Sequence, residues 1–372
     1  MICLSVFATV VILGLQIGMS LAQQTEARAV GPALPGAATP VTPVFEGAGW
    51  WEYVAGGVLY DVFFVDALHG WAVGDSAWRT EDGGATWQRV PLFGVGNSSG
   101  NTLQSVVFGD SQIGWIAKRS GGVLRSGDGG RTWNAALDDP AYNSSPPFLD
   151  AVDAQTVWTG RTPMLICEDH PTTCVPYAQA FRSTDGGSNW ERKYFLGTCD
   201  LLGLDFIDRQ HGRVTVWSRY GDTSVVLAAT TNGGETWSEI KIGDVAAGQP
   251  SVVPGDVSFA SPSHGWMIWQ SPYNGPWSIA HTTDSGLTWT EQYTAAGGSF
   301  TWLQAFDVDR AWAGLGTSNG GATWQQLTAN GPTRARFRTA QEGWGGQGWH
   351  HLPLDRWRPH LANGLCRSAH PA

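Results

Sequence analysis

The side chains best suited to chemistry lie in three short stretches. In "TRARFRTAQEGW", Arg334, Arg336 and Arg338 alternate with Ala335 and Phe337. On a strand, that spacing puts three guanidinium groups on one face, able to grip a carboxylate or phosphate of a partner. The same charges could equally pair with acids of neighbouring segments. Counted back from the next Gly-Trp, Arg334 stands level with Asp61 and Asp256, and Arg336 with Asp205. In "GWMIWQSPYNGPW", Trp269, Tyr273 and Trp277 surround a hairpin and could offer an aromatic platform to a glycan or peptide, or simply pack on their own sheet. In the third stretch, Cys167, His170 and Cys174 have a C-x2-H-x3-C spacing that zinc could use. In an exported chain, however, the even set Cys167, Cys174, Cys199 and Cys366 reads as disulfides, Cys167–Cys174 within one loop and Cys199–Cys366 as the remaining pair. No metal site and no cofactor are expected. His350 and His351 would point to opposite faces of a strand. His69, His211 and His264 each precede the Gly of a repeat, which suggests a turn role.

These residues must be positioned by something repetitive. An octet recurs six times: "TEDGGATW" at 80–87, "SGDGGRTW" at 126–133, "STDGGSNW" at 183–190, "TTNGGETW" at 230–237, "TTDSGLTW" at 282–289 and "TSNGGATW" at 317–324. A Gly-Trp pair or a relaxed version precedes each, at 70–71, 114–115, 157–158, 212–213, 265–266 and 311–312, and a seventh stands at 343–344. A Phe often lies six residues before the Gly, as at Phe64, Phe108, Phe206, Phe259 and Phe337. Short apolar or alternating runs bounded by Gly, Asp, Ser and Asn are strands, and no stretch sustains a helical period. Four strands per unit, repeated seven times, predict an all-β fold: a single seven-bladed β-propeller of four-stranded blades.

The octet needs no ligand to explain it. Asp82, Asp128, Asp185, Asn232, Asp284 and Asn319 can accept hydrogen bonds from N–H groups within the turn. The glycines permit positive φ. Trp87, Trp133, Trp190, Trp237, Trp289 and Trp324 then open the fourth strand and bury their rings, each contributing roughly 2–3 kcal/mol.

Ser/Thr-x-Asp-x-Gly-x-Thr-Trp resembles the Asp-box, or bacterial neuraminidase repeat, of sialidases, xyloglucanases, sortilin-type receptors and the photosystem II stability/assembly factor family. The pairing of "GWAVG" with "RTEDGGATW" most resembles the last group, over about residues 47–350. That resemblance implies a single propeller behind an export signal, with Asp-boxes at the blade periphery and arginines offered to a protein partner. The other relatives imply the alternative, a secreted carbohydrate-active protein, sialidase-like or xyloglucanase-like. No arginine-led sialidase motif precedes the first octet, and a xyloglucanase would need a second propeller, so no catalytic residue is assigned.

The seventh unit departs from the pattern, keeping Gly343-Trp344 without an octet, with Trp357 as its remnant. "GWWEYV" (49–54) resembles a Trp-opened fourth strand and is expected to complete the last blade. Residues 1–22 are apolar, lack acids and end in Ser20-Leu21-Ala22, the pattern of a cleaved signal peptide; an uncleaved anchor is the alternative, since no Lys or Arg precedes the run. Residues 23–46 read as a Pro/Ala-rich linker, 47–360 as the propeller and 361–372 as a tail, with the repeat already unrecognisable from about 353. The net charge of −10 disfavours a nucleic-acid binder. The expectation is an exported, non-enzymatic, monomeric scaffold in the periplasm, the cell envelope or the medium, with a protein partner, membrane-associated or not, and a glycan as second choice.

Overall fold

The computed structural model describes residues 59–92, 102–119, 121–137, 148–161, 179–194, 199–218, 225–242, 253–271, 275–297, 300, 302–326, 334–339, 342–346 and 355–357. These residues form antiparallel sheets joined in simple up-and-down order. The first sheet is β1 (Leu59–Phe64), β2 (Gly70–Gly74), β3 (Ala77–Thr80) and β4 (Gln88–Val90). The second is β5 (Leu103–Phe108), β6 (Gly114–Lys118), β7 (Val123–Ser126) and β8 (Asn134–Leu137); the third is β9 (Phe148–Ala151), β10 (Val157–Arg161), β11 (Gln179–Ser183) and β12 (Glu191–Tyr194). The fourth holds β13 (Cys199–Phe206), β14 (Gly212–Ser218), β15 (Val225–Thr230) and β16 (Ser238–Ile242); the fifth holds β17 (Val253–Phe259), β18 (Gly265–Gln270), β19 (Trp277–Thr282) and β20 (Thr290–Thr294). The sixth is β21 (Gln304–Ala305), β22 (Ala311–Trp312), β23 (Leu315–Thr317) and β24 (Gln325–Gln326). The last sheet has three strands among the described residues: β25 (Arg334–Thr339), β26 (Glu342–Gly346) and β27 (Asp355–Trp357). Among the described residues no helix is long and apolar enough to cross a membrane.

The first strands of successive sheets pack on one another, β1 on β5, β5 on β9, β9 on β13, β13 on β17 and β17 on β21, while β25 packs back on β1. First strands therefore line an axis and fourth strands face outward, the arrangement of a β-propeller. The core lies in the seams between sheets. One cluster joins Trp71 and Val73 to Val106, Phe108 and Ile116, and another joins Trp158 and Ala180 to Leu204, Phe206 and Val214. The Gly-Trp indoles are among its most deeply buried side chains: Trp115, Trp158 and Trp266 have no exposed surface. Where the next sheet offers a Phe, the indole stacks on it, Trp71 on Phe108 at 3.4 Å and Trp158 on Phe206 at 4.1 Å between centroids. Arg213 replaces the indole in the fourth sheet and lays its guanidinium over Phe259 at 5.0 Å. The Gly of Gly-Trp is required because that same Phe folds onto it; a Cβ on Gly114 would meet the Phe108 ring at 2.4 Å.

The octet tryptophans are shallower than the sequence suggests. Trp133 is buried, but Trp87, Trp190, Trp237, Trp289 and Trp324 are half-buried. Trp87, Trp237 and Trp289 lie edge-on to Phe64, Phe206 and Phe259 and return their indole N–H to a carbonyl of their own turn. Trp357 is not the octet tryptophan of the last sheet. Its backbone pairs with Gly343, the level that Thr80 holds against Gly70, so it ends a third strand, and the chain just past 353 is still part of a sheet. Residues 1–22, 23–46, 49–54 and 361–372 lie outside the described residues.

Candidate functional site

Each octet is organised around the hydroxyl at its first position, a role not evident in the sequence. Ser126 Oγ is fully buried; it donates to Asp128 Oδ1 at 2.8 Å and accepts the Gly130 N–H at 2.8 Å. Asp128 Oδ1 also accepts the N–H groups of Arg131 and Thr132, and Oδ2 accepts the Thr132 hydroxyl at 2.6 Å. Asp82 and Asp284 accept the N–H and hydroxyl of Thr86 and Thr288 in the same way, and Asp185 accepts the N–H groups of Ser188 and Asn189 and, at Oδ2, the Asn189 Nδ2–H. Asn232 and Asn319 keep the Oδ1 acceptor and turn their Nδ2 donor to Thr236 and Thr323 Oγ1. Burial works to raise the Asp128 carboxyl, but the bonds from Thr132 and Ser126 outweigh it and hold it below the usual range. In Asp185, the backbone and side chain of Asn189 pull it down to about 2.

The octets also join sheet to sheet. The residue after the octet Asp or Asn has positive φ, +71° at Gly129, and is Gly in every octet but the fifth, where it is Ser285; in four of the octets its carbonyl meets the preceding sheet. Gly129 O accepts Trp71 Nε1 and Arg79 Nε, both at 3.0 Å. Gly186 O accepts Arg125 Nε, Gly233 O accepts Arg182 Nη1, and Gly320 O accepts Gln292 Nε2 at 2.6 Å. The three arginines occupy one repeat position, immediately before the octet hydroxyl. A second recurrent turn precedes Gly-Trp: Asp66, Asp110, Asp153, Asp208 and Asp307 each cap the N–H groups two and three residues ahead. His69 and His211 belong to this turn, their Nδ1 atoms within 2.8 and 2.9 Å of Asp66 and Asp208.

A second set of latches runs around the axis. Asp61 Oδ2 accepts Val106 N–H at 3.0 Å and Ser105 Oγ–H at 2.8 Å, both on the next sheet. Asp150 accepts Phe206 N–H, Asp205 accepts Phe259 N–H and Asp256 accepts Leu303 N–H, at 2.6, 2.9 and 3.0 Å. Gln304 does the same for Phe337 and donates back to its carbonyl. In the last sheet the level of Asp150 and Asp205 carries Arg336, whose Nε lies 3.8 Å from Asp61 Oδ1. Arg336 is half-exposed and the Asp61 side chain fully buried, so this pair bridges the last described sheet to the first. Burial pushes the Asp150 carboxyl up to about 6, only partly offset by the Phe206 N–H and the Arg336 charge; burial and the Asp150 charge push Asp205 well above the carboxylate range. Both acids keep some exposed surface, but protein surrounds them closely enough for desolvation to dominate.

The predicted binding residues are only partly brought together. Arg334 and Arg338 share β25 with Arg336, but their side chains lie outside the described residues. Trp269 and Trp277 do not form one platform. Trp269 pairs with Ser278 and Trp277 with Gln270, which sets the indoles on opposite faces of the sheet. Trp269 packs with Leu227, Val257 and Phe259 in one seam, and Trp277 with Ile268, Ile279 and Leu303 in the next. Tyr273, Cys167, His170, Cys174, Cys366, His350 and His351 lie outside the described residues, as does the side chain of Cys199. Among the described residues no three His, Cys, Asp or Glu side chains are grouped to hold a metal ion. A cavity of 220 Å³ opens between the first two sheets beside His69, Arg79 and Arg131, but Glu81 already engages both arginines.

Residues 50–159 match the family described as photosynthesis system II assembly factor YCF48. A protein of Synechococcus sp. (strain CC9902), named photosystem II assembly lipoprotein Ycf48, is 29% identical over 133 residues. That match spans 35% of this chain and 35% of the relative, so it reaches about a third of the relative's length. Among solved structures, YCF48 bound to D1 peptide superposes with a TM-score of 0.59 at 19% identity, covering 86% of this chain and all of that one. An ancestral GH74 enzyme reaches the same TM-score at 15% identity, over 85% of this chain and 47% of that one. At such identities these structures speak for the fold.

Proposed function

Taking the chain as a BNR-type propeller of the YCF48-like family, we propose that it is a single seven-bladed propeller that binds a protein and serves as an assembly scaffold. The observation that carries this reading is the match of residues 50–159 to the YCF48 family, joined to a fold shared over 86% of this chain with a YCF48 bound to a D1 peptide. Three groups of carboxylates are committed to structure, which supports a non-enzymatic role: the octet acids to their own turns, the loop acids to the turns before Gly-Trp, and the inner acids to the next sheet. The seventh blade is β25–β27 completed by residues 49–54 as its outer strand. The chain is exported and monomeric, in the periplasm or cell envelope, in keeping with a relative named as a lipoprotein. A glycan-cleaving role has GH74 likeness behind it, and that likeness is of fold.

Arg334 and Arg338, which share β25 with the seam residue Arg336, are the candidate partner contacts. Affinity capture from the native envelope tests this assignment. Wild type should enrich a defined protein that the Arg334→Glu/Arg338→Glu variant loses, both proteins folding equally by circular dichroism. Unchanged capture would remove the arginines from the interface. Turnover of xyloglucan or a sialoside by the purified protein would overturn the scaffold reading.

A further inference from the structure

We propose that closure of the ring is linked to proton uptake by its inner carboxylates: with Asp150 and Asp205 both ionised the axis repels itself, and a proton from solvent taken up by either draws the inner strands together. The geometry is a cluster contributed by separate sheets. Asp150 and Asp205 stand at one level on the adjacent strands β9 and β13, each one residue before the position paired with the Gly of Gly-Trp or its counterpart. Asp61 and Asp256 stand two residues earlier in the repeat, on β1 and β17. Each carboxylate accepts a backbone N–H from the following sheet. Such a bond satisfies an oxygen without cancelling the charge.

The other charged groups around the pair are few. β5 carries no ionisable side chain, and β6 carries Lys118 three residues beyond the level of Trp115. Across β14 from Asp205 stands Arg213, but its Nη groups go to the carbonyls of Gly212 and Pro262. From β25, Arg336 acts on Asp150 and lies against Asp61; Arg334 and Arg338 share that strand. Thus, among the described side chains, the four inner acids are set against two guanidiniums, Arg336 beside Asp61 and Arg213 across from Asp205.

Burial raises both carboxyls, with the Asp256 charge adding to it at Asp150 and the Asp150 and Asp256 charges at Asp205, so these two groups bind protons more tightly in the folded ring than in the unfolded chain. A carboxyl raised by folding adds stability as pH falls through its folded value, here about 6 for Asp150, and the gain is complete once pH reaches the unfolded value of about 3.9. His281, held low by burial and by His264, works in the opposite sense below about pH 6.5, so the reading must come from a difference between variants.

Asp150→Asn keeps an acceptor for the Phe206 N–H and removes the charge. Melting curves of wild type and variant from about pH 5 to pH 8 should differ increasingly as pH rises, the variant gaining about 2–4 °C on wild type across that range. A gap independent of pH overturns the proposal. Should the variant fail to fold, carbon-detected NMR of the wild-type aspartate carboxyls decides. A resonance titrating near pH 6 is expected, and titration of every resonance below about pH 5 overturns the proposal. Arg336→Gln should move that midpoint upward, and an unmoved midpoint would also overturn it. The test involves no partner, so its failure leaves the scaffold reading standing and loss of the scaffold reading leaves the device standing.

Discussion

Replacing Asp128 by Ala and by Asn separates what the octet acid contributes by charge from what it contributes as an acceptor. The carboxylate receives four hydrogen bonds, from Ser126 Oγ, Arg131 N, Thr132 N and Thr132 Oγ1. Arg131 and Thr132 are exposed, so their donors regain water when the acceptor is lost, at about 0.5–1 kcal/mol each. The Ser126 hydroxyl has no access to water, and leaving it without an acceptor costs about 1–3 kcal/mol. Asp128→Ala should therefore destabilise by about 2.5–6 kcal/mol, lowering the urea midpoint by on the order of 1–2 M. Asp128→Asn reproduces an arrangement the chain already uses at Asn232 and Asn319, where Oδ1 keeps the N–H bond and the Thr hydroxyl turns round to accept. It should cost less than about 1 kcal/mol. Urea unfolding followed by tryptophan fluorescence reads both variants. The Asp128 carboxyl is held below its ordinary range, so its stabilisation is present above the unfolded value of about 3.9 and is lost as pH falls through the folded one. Asp128→Asn should escape that part of the acid sensitivity. Equal losses for Ala and Asn would refute the reasoning, because the acceptor pattern would then not be what holds the turn.

The outer latches and the fifth octet offer two more tests. Arg125→Ala should cost about 1–2 kcal/mol and Arg125→Lys nearly as much, since an ammonium lacks the Nε–H that reaches Gly186 O; urea midpoints decide, and full retention by Lys would argue against a directional bond. Ser285 is a non-glycine residue at φ +69° where the other octets have Gly. Ser285→Gly should raise stability by about 0.5–1 kcal/mol, visible as a higher melting temperature, and a loss would show that the side chain makes up for the strain.

Much of the periphery was legible because its contacts are local. The octet's bonds run between residues two to four apart, so eight letters contain both donor and acceptor. The turn before Gly-Trp is equally local, yet only its histidines stood out; the signal was an Asp four residues before the Gly, at Asp66, Asp110, Asp153 and Asp208. The latches were harder to see, since Asp61 meets Val106 across 45 residues and Arg79 meets Gly129 across 50. The arginine latch does leave a trace, Arg79, Arg125 and Arg182 each preceding an octet hydroxyl, but a lone Arg in a strand names no partner. Trp269 and Trp277 looked like neighbours because they flank one hairpin, whereas the period of the strand sends one to each face. The propeller's all-β character and antiparallel sheets follow from composition and punctuation. How the ring is held shut depends on which charge stands at an inner level, and only the packed chain reveals that.

The outward-turned carbonyl of the first octet glycine carries an evolutionary consequence. Because the second, third and fourth octets each receive an Arg from the third strand of the unit before them, and the sixth a Gln from the fourth strand, the physical module straddles two sequence repeats. A duplication cut at the repeat boundary would separate donor from acceptor at both ends, whereas one cut within the seam would carry a finished joint. Growth or loss of units in such a chain should favour breakpoints near the third strand, and a grafted octet should work only when its upstream neighbour brings an Arg, Gln or indole to meet it.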